Sequence, residues 1–531
     1  MKNTYGLLLM GCSALALAGC GPSDISSPGA GGVTINPPAT PGPSPEPTPT
    51  EPGVVTPAAA CPTVSESQTL VDGGTVQVPT GEWRVCRLPS LIRASMSLPK
   101  VPGVLYEMNG RVNVGCDGGF SAPTATAQYT STTTGCTTPL SADTNVTLSI
   151  ASGVIIYAAT GQSWLAVNRG NKISAVGSAE HPIIFTSLDN VHGRATDTAQ
   201  GQWGGVVLMG RGLTTDCVVG SVATNTCERN TEGSADLARY GGLDNNYDAG
   251  RMSFVQIRYS GFTLGANSEL QALTLQSVGT RTQLDHIQAH NSSDDGAEFF
   301  GGAINMRYYV ATGADDDSLD VDTGAQANLQ YVLLAPRSGR GDALMEIDSN
   351  GFEADTPRTK LTLSNFVALQ PQVSSDNEAN GQASVFFRGN ADVTLVNGII
   401  VAPNNECIRM NGSGTTPATL TTRSVVMQCN ATKFIGTGTL SASQVTTAFG
   451  SGANNSNDGF TPTLASLFIN GTNENAVPAF DARTLSSFFD TTDRIGVAWA
   501  GNDSWFSGWT CNSPAANFGT ASAACTTLPT D

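Results

Sequence analysis

Acidic side chains dominate the chemistry that this sequence could perform. The segments HIQAHNSSDDGAEFFGG at 286–302 and YYVATGADDDSLDVDTG at 308–324 repeat their acidic positions at one constant offset. The repeated carboxylates are Asp294, Asp295 and Glu298 in the first segment and Asp316, Asp317 and Asp320 in the second. Carboxylates stacked at ~5 Å repel one another by on the order of 1 kcal/mol in water and by more when they are partly buried. A fold that brings these six groups together must therefore relieve that repulsion.

Three ways of relieving the repulsion remain open from the sequence. Carboxylates are hard oxygen ligands that suit Ca²⁺, so the six residues form a candidate calcium site. Carboxyl groups can also share protons at raised pKa values, as catalytic acids do, which would give catalytic roles to Asp295, Asp316 and Asp317. In the third case, the side chains splay into solvent at ordinary turns, where Asp, Asn and Gly are common.

The elements that would position these groups are short strands. From about residue 142, runs such as VTLSI, GVIIY, PIIFTS and LTLSNFVAL alternate with Gly, Asn and Asp, and no helical stripe of useful length interrupts them. The constant offset, with two or three strands per turn, predicts an all-β parallel β-helix over 142–450. Consecutive coils would lie about 4.8 Å apart and would place Asp295 and Asp317 on neighbouring rungs.

The flanking regions are predicted to close the two ends of this solenoid. Residues 61–141 are expected to form an N-terminal cap or a small accessory region. Residues 451–531 are expected to form a C-terminal capping region, in which Trp499, Trp505 and Trp509 cover the open core.

The N-terminus indicates export. Residues 1–20 hold one lysine, a short apolar stretch and small residues, which is typical of a secretory signal peptide. The ending Leu17-Ala18-Gly19-Cys20 resembles the lipobox of bacterial lipoproteins, which implies cleavage before Cys20 and its lipidation. Gly21 follows where Asp would retain a lipoprotein at the inner membrane, so the resemblance implies anchoring in the outer membrane. Residues 21–60 are rich in proline and are expected to form a disordered tether.

Ten further cysteines follow the signal peptide and fall into sequential couples. An even number of cysteines in an exported chain predicts disulfides, and no spacing suitable for zinc occurs. Pairing between sequence neighbours is the simplest arrangement. The couples are Cys61/Cys86, Cys116/Cys136, Cys217/Cys227, Cys407/Cys429 and Cys511/Cys525.

The charge of the chain excludes one class of partner. The sequence has 26 Lys and Arg against 44 Asp and Glu, a formal net charge of −18. Nucleic-acid binding depends on neutralising phosphates with basic residues, so no nucleic-acid partner is expected.

Several stretches resemble a family of right-handed parallel β-helix proteins that are widespread among secreted and lipid-anchored bacterial proteins. They include LSIASGVIIY, LAVNRGNKISAVGSAEHPIIFTS, QWGGVVLMGRG and IGVAWAGNDSWFSGWT, and the resemblance spans about residues 142–510. It implies a right-handed coil and, by association, a place beside outer-membrane transport systems.

A more distant similarity links single coils to polygalacturonase-type hydrolases. Asp295-Gly296-Ala297-Glu298 lies one coil before Asp316-Asp317, and Gly339-Arg340-Gly341 follows where that family has Gly-His-Gly. The similarity implies that one Asp would protonate the leaving oxygen while another activates water. Arg340 cannot shuttle a proton as histidine does, so shared coil geometry is favoured over shared chemistry.

These observations together predict a lipid-anchored outer-membrane protein. The expected role is non-catalytic binding of an extended polymer such as a polysaccharide, or of an outer-membrane transport partner. One alternative is a glycan hydrolase or lyase that uses Asp295, Asp316 and Asp317. The other is a structural envelope protein. Apart from Ca²⁺, no cofactor is expected.

Overall fold

The computed structural model describes residues 54–530, apart from 235, 266–267, 350–351, 371–382 and 413–414. The predicted signal peptide, the lipidation of Cys20 and the tether up to residue 53 lie outside the described residues. Residues 54–60 were assigned to the tether, but they dock on the folded body. Val55 N donates to Thr80 O at 2.9 Å, and Ala58 N donates to Gly103 O at 3.3 Å.

Thirty strands and a few short helices form this part of the chain. In chain order, the strands are β1 (Val71–Val78), β2 (Gly81–Arg87), β3 (Leu91–Ile92), β4 (Met96–Leu98), β5 (Val104–Met108), β6 (Arg111–Val114), β7 (Thr147–Ile150), β8 (Ile155–Ala158), β9 (Trp164–Val167), β10 (Lys172–Val176), β11 (Ile183–Ser187), β12 (Gly205–Met209), β13 (Arg229–Asn230), β14 (Arg239–Tyr240), β15 (Gly250–Arg258), β16 (Thr263–Gly265), β17 (Ser268–Glu269), β18 (Leu273–Gln276), β19 (Gln283–His290), β20 (Ala297–Phe300), β21 (Ala303–Thr312), β22 (Asp320–Asp322), β23 (Gln326–Ala335), β24 (Met345–Ile347), β25 (Thr359–Leu369), β26 (Val385–Phe387), β27 (Ala391–Ala402), β28 (Ile408–Gly412), β29 (Thr419–Cys429) and β30 (Phe434–Gly438). The α-helices are α1 (Leu188–Val191), α2 (Ala442–Phe449) and α3 (Thr472–Asn475), and 3-10 turns lie at Val222–Thr224 and Ala482–Thr484. In the part of the chain that the structure describes, no helix has the length and apolar composition needed to cross a membrane.

Two stacks of parallel strands build a β-helix. The large sheet has 15 strands and runs in the order β1-β2-β5-β8-β11-β15-β19-β21-β23-β25-β27-β29, with β4, β7 and β10 beside this path. The small sheet has 11 strands in the order β3-β6-β9-β12-β18-β20-β22-β24-β26-β28-β30. Apart from the antiparallel pair β1–β2, the strands of both sheets pair in parallel, so each coil rests on the one before it. The predicted parallel β-helix is confirmed.

From β15 onward, every long strand of the large sheet is bent at one residue. That residue has a positive φ of 52–62° and occupies the same position in seven coils. The seven residues are Phe254, His286, Tyr308, Tyr331, Asn365, Asn397 and Ser424. Side chains rarely adopt this left-handed conformation. In the first four of these coils the side chains at this position are aromatic, and their rings stack on one another. The ring centres of consecutive coils lie 4.2, 4.3 and 4.8 Å apart.

The inward-facing side chains form one apolar core along the whole stack. In the small sheet, Leu275, Phe299, Val321, Ile347 and Phe387 occupy one inward column and are all fully buried. Alternation along the short strands therefore sends the neighbouring residues to the outer face.

The β-helix begins earlier in the chain than the sequence suggested. Residues 61–141 were expected to form a separate cap or accessory region, yet β2 pairs in parallel with β5, β5 with β8, and β6 with β9. The first coils therefore lie within 61–141, and the stack starts near Gly81 instead of residue 142. Long segments between these strands weaken the repeat in the sequence.

The C-terminal region differs from the cap that was predicted over 451–531. The end of the interior core is covered by α2, whose Val445 and Phe449 are buried in the core beside Phe434. Residues 460–530 instead run back along the outer face of the large sheet. We call residues 460–530 the C-terminal segment.

Apolar contacts hold the C-terminal segment to the large sheet. Phe468, Val497 and Trp509 pack on an outward column that includes Val310 and Leu333. Trp505 and Trp509, which the sequence placed in an end cap, lie 5.1 Å from the ring of Tyr308 and 5.4 Å from that of His286. Since these residues are far from the last coil, tryptophan content alone could not distinguish an end cap from a side cover.

Polar contacts follow the same path. Amide groups of Gln288, Gln330 and Asn397 each bind both N–H and C=O of one residue of the C-terminal segment, at 2.7–3.1 Å. The residues bound are Cys511, Asp490 and Phe480. Further along, Arg258 donates to Cys525 O at 2.7 Å.

All five predicted disulfides form between the expected neighbours. The couples Cys61–Cys86, Cys116–Cys136, Cys217–Cys227, Cys407–Cys429 and Cys511–Cys525 have Cα–Cα distances of 4.8–6.0 Å. Cys407 immediately precedes β28, and Cys429 ends β29.

An insertion covers part of the small sheet. Residues 211–250 carry the hairpin β13–β14, and Ala238 and Tyr240 pack with Val207, Met209 and Phe300 on the outer face. This cover ends beside the acidic coils, which brings insertion residues to the edge of the candidate site.

Candidate functional site

Three consecutive rungs of the small sheet carry outward-facing carboxylates. Glu298 on β20 pairs in register with Asp320 on β22, and Asp320 pairs with Glu346 on β24. The constant offset in the sequence therefore identified true neighbours in the fold. The third member, Glu346, extends the column by one coil.

Further carboxylates lie at the corner that precedes each of these strands. Asp295 Oδ1 accepts a hydrogen bond from Asp317 N at 2.9 Å, and Asp317 Oδ1 accepts one from Ala343 N at 2.7 Å. Each corner carboxylate thus binds the backbone of the next coil. Gly296 is required at this corner because a Cβ there would lie 2.6 Å from the hydroxyl of Tyr309.

The six residues predicted as a calcium site form one continuous cluster. In three overlapping groups, carboxylate oxygens lie within 4.8 Å of one another. The groups are Asp294, Asp295 and Asp316; Asp295, Glu298 and Asp320; and Asp316, Asp317 and Asp342. We call these seven residues, together with Asp322, Glu346 and Asp348, the acidic face.

Burial sets the electrostatics of the acidic face. Asp295, Glu298 and Asp317 are only 5%, 7% and 3% exposed. Burial is the main reason that the pKa values of these three carboxyls stand well above their ordinary range, and repulsion from neighbouring carboxylates adds to it. The splayed, solvated arrangement that the sequence left open does not describe these three side chains.

Two carboxyls of the acidic face have pKa values near neutrality. Burial raises the pKa of Asp294 to about 7, with a further contribution from Glu269 and Glu232. Burial also raises the pKa of Glu346 to about 7, and repulsion from Asp348 adds to this.

Neighbouring carboxyls also influence one another's pKa values. Burial raises the pKa of Asp322 well above its ordinary range, and Asp348 adds to this. Asp317 acts in the opposite direction on Glu346 and lowers its pKa, although burial and Asp348 outweigh this.

Two arginines border the acidic face. Arg388 donates to Glu346 Oε1 at 2.8 Å and lies 2.6 Å from Asp348 Oδ2. On the other side, Arg229 of the insertion forms an ion pair with Asp216 and sits 5.8 Å from the ring centre of Phe300. Burial opposes the charge of Arg229, but Tyr240 and Asp216, with smaller contributions from Asp322 and Glu298, raise its pKa, so this guanidinium stays charged.

One oxygen of the acidic face lacks a donor. Asp320 Oδ1 is buried and has no hydrogen-bond partner among the described residues. Burying an unsatisfied carboxylate oxygen is costly. A hard cation beside Asp320, Glu298 and Asp295 would satisfy it, so the residues present fit Ca²⁺ in their donor chemistry.

Beyond Glu346, the outward column of the small sheet continues with an aromatic and a basic residue in place of carboxylates. Glu346 pairs with Phe386 on β26, and Phe386 pairs with Arg409 on β28. The guanidinium of Arg409 lies 4.6 Å from the ring centre of Phe386, and that of Arg388 lies 5.7 Å from it. One outward surface therefore runs from clustered carboxylates to an aromatic ring between two cations.

The candidate catalytic residues come together, but in a tight arrangement. Oxygens of Asp295 and Asp316 approach within 4.8 Å, as do those of Asp316 and Asp317. Inverting glycosidases place their carboxyls ~6.5–9.5 Å apart to admit a water. Arg340, at the position where a histidine would be expected, forms an ion pair with Asp315 at 3.5 Å.

Sequence reasoning missed Glu346, Asp348 and Arg388. The step from Asp320 to its partner Glu346 is longer than the step from Glu298 to Asp320, so a search at a fixed offset does not find it. A usable signal was present, because DVD at 320–322 and EID at 346–348 share an acidic–apolar–acidic pattern. That pattern on a strand places both carboxylates on the outer face.

Comparisons with known proteins agree with the architecture. A family model described as pectate-lyase like beta helix domain matches residues 124–510, more than half of the chain. No curated protein sequence matches this chain. Among solved structures, the crystal structure of alginate lyase from Paenibacillus sp. str. FPU-7 is similar at 12% identity, with 56% of this chain and 85% of that chain covered and a TM-score of 0.21. A TM-score of that size supports no conclusion about this chain.

The stacked parallel coils, the buried ladder along their interior and the match over residues 124–510 lead to one assignment: the chain belongs to the family of pectate-lyase like beta helix domains.

Proposed function

We propose that the protein binds an extended polysaccharide along the outer surface of the small sheet, without cleaving it, and that Ca²⁺ held by the acidic face takes part. The observation that carries this proposal is the buried, like-charged carboxylate cluster with Asp320 Oδ1 unsatisfied. A bound divalent cation removes the repulsion and presents a positive centre to an anionic sugar.

The surface beside the cluster supports a polymer ligand. Arg388 and Arg409 pack over the buried ring of Phe386 and offer charges for acidic groups of a neighbouring sugar unit. Coils about 4.8 Å apart provide a regular, elongated surface suited to a chain. The family match to a pectate-lyase like domain supports a ligand of polysaccharide character.

The proposed location is the outer membrane, reached through lipidated Cys20 and the proline-rich segment that follows it. Such a segment, at ~3.1 Å per residue in extended form, would hold the β-helix away from the lipid surface. A transport protein of the outer membrane remains an alternative partner for the same exposed body.

A glycan lyase or hydrolase is the second candidate function. It is favoured by Asp294 and Glu346, whose pKa values of about 7 suit proton transfer near neutral pH. It is opposed by the contacts of Asp295 and Asp317. One carboxylate oxygen of each already accepts a hydrogen bond from the backbone of the next coil, so that oxygen is not available to a substrate.

Binding and turnover can be separated in one experiment. The purified full-length protein is incubated with immobilised polygalacturonate, alginate and neutral glucans, in 1 mM Ca²⁺ or in EDTA. We expect retention on an anionic glycan in Ca²⁺ only, with no new reducing ends and no unsaturated products. Chelation is also expected to lower the Tm by several degrees.

Matched variants test the site. The double variant Asp316→Asn/Asp317→Asn should lose both the retention and the Ca²⁺-dependent Tm shift. Asp493→Asn removes a 78% exposed carboxylate and serves as the control that should change neither. An unchanged wild-type Tm on chelation would contradict the calcium site. A lack of retention on every immobilised glycan would contradict polysaccharide binding. New reducing ends or unsaturated products would establish the enzymatic alternative.

A further inference from the structure

A cavity lies on the C-terminal segment, away from the acidic face. It has a volume of about 560 Å³ and opens between a turn at 465–469 and residues 503–507 and 517–519. Volumes of this size are typical of sites for small ligands. Neither the proposed polysaccharide surface nor the family match assigns a role to it.

The turn that borders this cavity has an unusual backbone. Ala465 and Ile469 exchange two backbone hydrogen bonds of 2.8 and 2.9 Å, which closes a tight loop. Within it, Ser466 and Leu467 have φ values of 47° and 75°. Two successive left-handed residues favour Asn-Gly or Gly-Gly, and a leucine in this conformation is strained.

The strained residue is also displayed to solvent. Leu467 is 51% exposed at the mouth of the cavity, so packing within the protein does not explain its presence. Strained backbone is characteristic of binding sites, where the conformation is retained because it orients a side chain for a ligand. Glycine would satisfy the turn better but would offer no side chain.

The cavity wall combines an apolar floor with polar groups, one of which is the carboxylate of Asp503. The rings of Phe468, Phe506 and Phe518 lie 4.9–5.8 Å from one another beneath it. Its polar lining consists of the hydroxyls of three serines, the carboxylate of Asp503 and the amide of Asn517. Among the described residues that line it there is no lysine or arginine, and Asp503 would repel an anion.

We infer that this cavity binds a neutral sugar, as a mono- or disaccharide unit. Leu467 provides an exposed apolar surface for the C–H face of a pyranose ring, and the buried phenylalanine rings support it from beneath. The hydroxyls, Asp503 and Asn517 provide donors and acceptors for sugar hydroxyls. This ligand differs in charge from the anionic polymer proposed for the acidic face, so the two sites are independent.

Leu467→Gly gives a sharp test because it separates folding from binding. A φ of 75° suits glycine, so this variant should fold with an unchanged or higher Tm. It removes the apolar contact, so affinity for the sugar should fall about tenfold or more, which is typical for the loss of a well-packed side-chain contact. Trp505 lies 5.6 Å from Phe506 and reports binding through its fluorescence.

The titration uses the full chain and a panel of D-glucose, D-galactose, D-mannose and N-acetyl-D-glucosamine with their disaccharides, and glucuronate and galacturonate as charged probes. We expect a saturable change with at least one neutral sugar and none with the uronates. Leu485→Ala, at another exposed leucine, should bind as the wild type does. The Asp316→Asn/Asp317→Asn variant should also bind the neutral sugar, whatever its effect on the acidic face.

Three results would overturn the inference. They are the failure of every neutral sugar to change the fluorescence, equal affinity in Leu467→Gly and wild type, and binding of uronates as tightly as neutral sugars.

Discussion

The polar side chains on the outer face of the large sheet have different partners from those on the outer face of the small sheet. On the large sheet, amides such as Gln288 and Gln330 bind the backbone of the C-terminal segment. On the small sheet, Asp295, Glu298 and Asp320 lie against one another, and Asp320 Oδ1 finds no donor among the described residues.

This difference indicates which face is available for a ligand. Amides that are already paired with the C-terminal segment have little free energy to gain from binding a further ligand. The acidic face retains an unsatisfied oxygen and repelling groups, which a cation or a charged polymer could satisfy. The covered face buries apolar surface and pairs its amides, whereas the acidic face gathers repelling carboxyls that the proposed cation would satisfy.

The largest effect on stability is expected from removing a side chain that packs the C-terminal segment onto the large sheet. Trp509 is fully buried between the large sheet and the C-terminal segment, so Trp509→Ala should lower the free energy of unfolding by about 3–5 kcal/mol. Urea denaturation measures this. Trp499→Ala, at a partly buried tryptophan, should cost less. A cost below about 1 kcal/mol for Trp509→Ala would show that the segment adds little stability.

A smaller effect is expected from pH, and it should arise on the acidic face. In the unfolded chain Asp and Glu titrate near pH 4, whereas Asp294 and Glu346 titrate at about 7 in the folded protein. Groups with raised pKa values stabilise the fold fully at low pH, and this contribution is lost as the pH rises through the folded pKa. The Tm of the metal-free protein should therefore fall by several degrees between pH 5 and pH 8.

Calcium provides the internal control for that scan. A cation on the acidic face replaces the protons, so in 1 mM Ca²⁺ the fall in Tm should shrink. A Tm that rises between pH 5 and pH 8 in EDTA would contradict the raised pKa values.

The smallest effect is expected from one neutralised carboxylate. Asp320→Asn keeps the shape of the side chain and removes one charge, so in EDTA at pH 8 it should stabilise the protein by on the order of 1 kcal/mol. The same variant should lose the stabilisation by Ca²⁺. Destabilisation in EDTA would show that the carboxylate is needed for the fold and would break the contrast between the two faces.

Much of this arrangement could be read from the sequence, because coil stacking is encoded locally. The constant offset between the two acidic segments placed Glu298 beside Asp320, and cysteine order gave all five disulfides. The family model agrees with the predicted β-helix. These features depend on spacing alone.

Long-range packing could not be read in the same way. The pairing of Asp320 with Glu346 crosses a longer coil than the one before it, and the contact of Trp509 with Phe254 joins residues far apart in the chain. No local pattern specifies which outer column a distant segment will cover. The role that we infer for Leu467 likewise depends on its φ and its exposure, which no sequence pattern gives.

The C-terminal segment also constrains the number of coils in the β-helix. Its backbone meets Asn397, Gln330 and Gln288 on different coils, so its contacts are matched to the number of rungs beneath it. Open solenoids can gain or lose a repeat with little disturbance to the others. Here, duplication or deletion of a coil between Gln288 and Asn397 would change the spacing of the residues that the C-terminal segment contacts. This protein should therefore evolve by changing its surface residues and insertions at a constant number of coils.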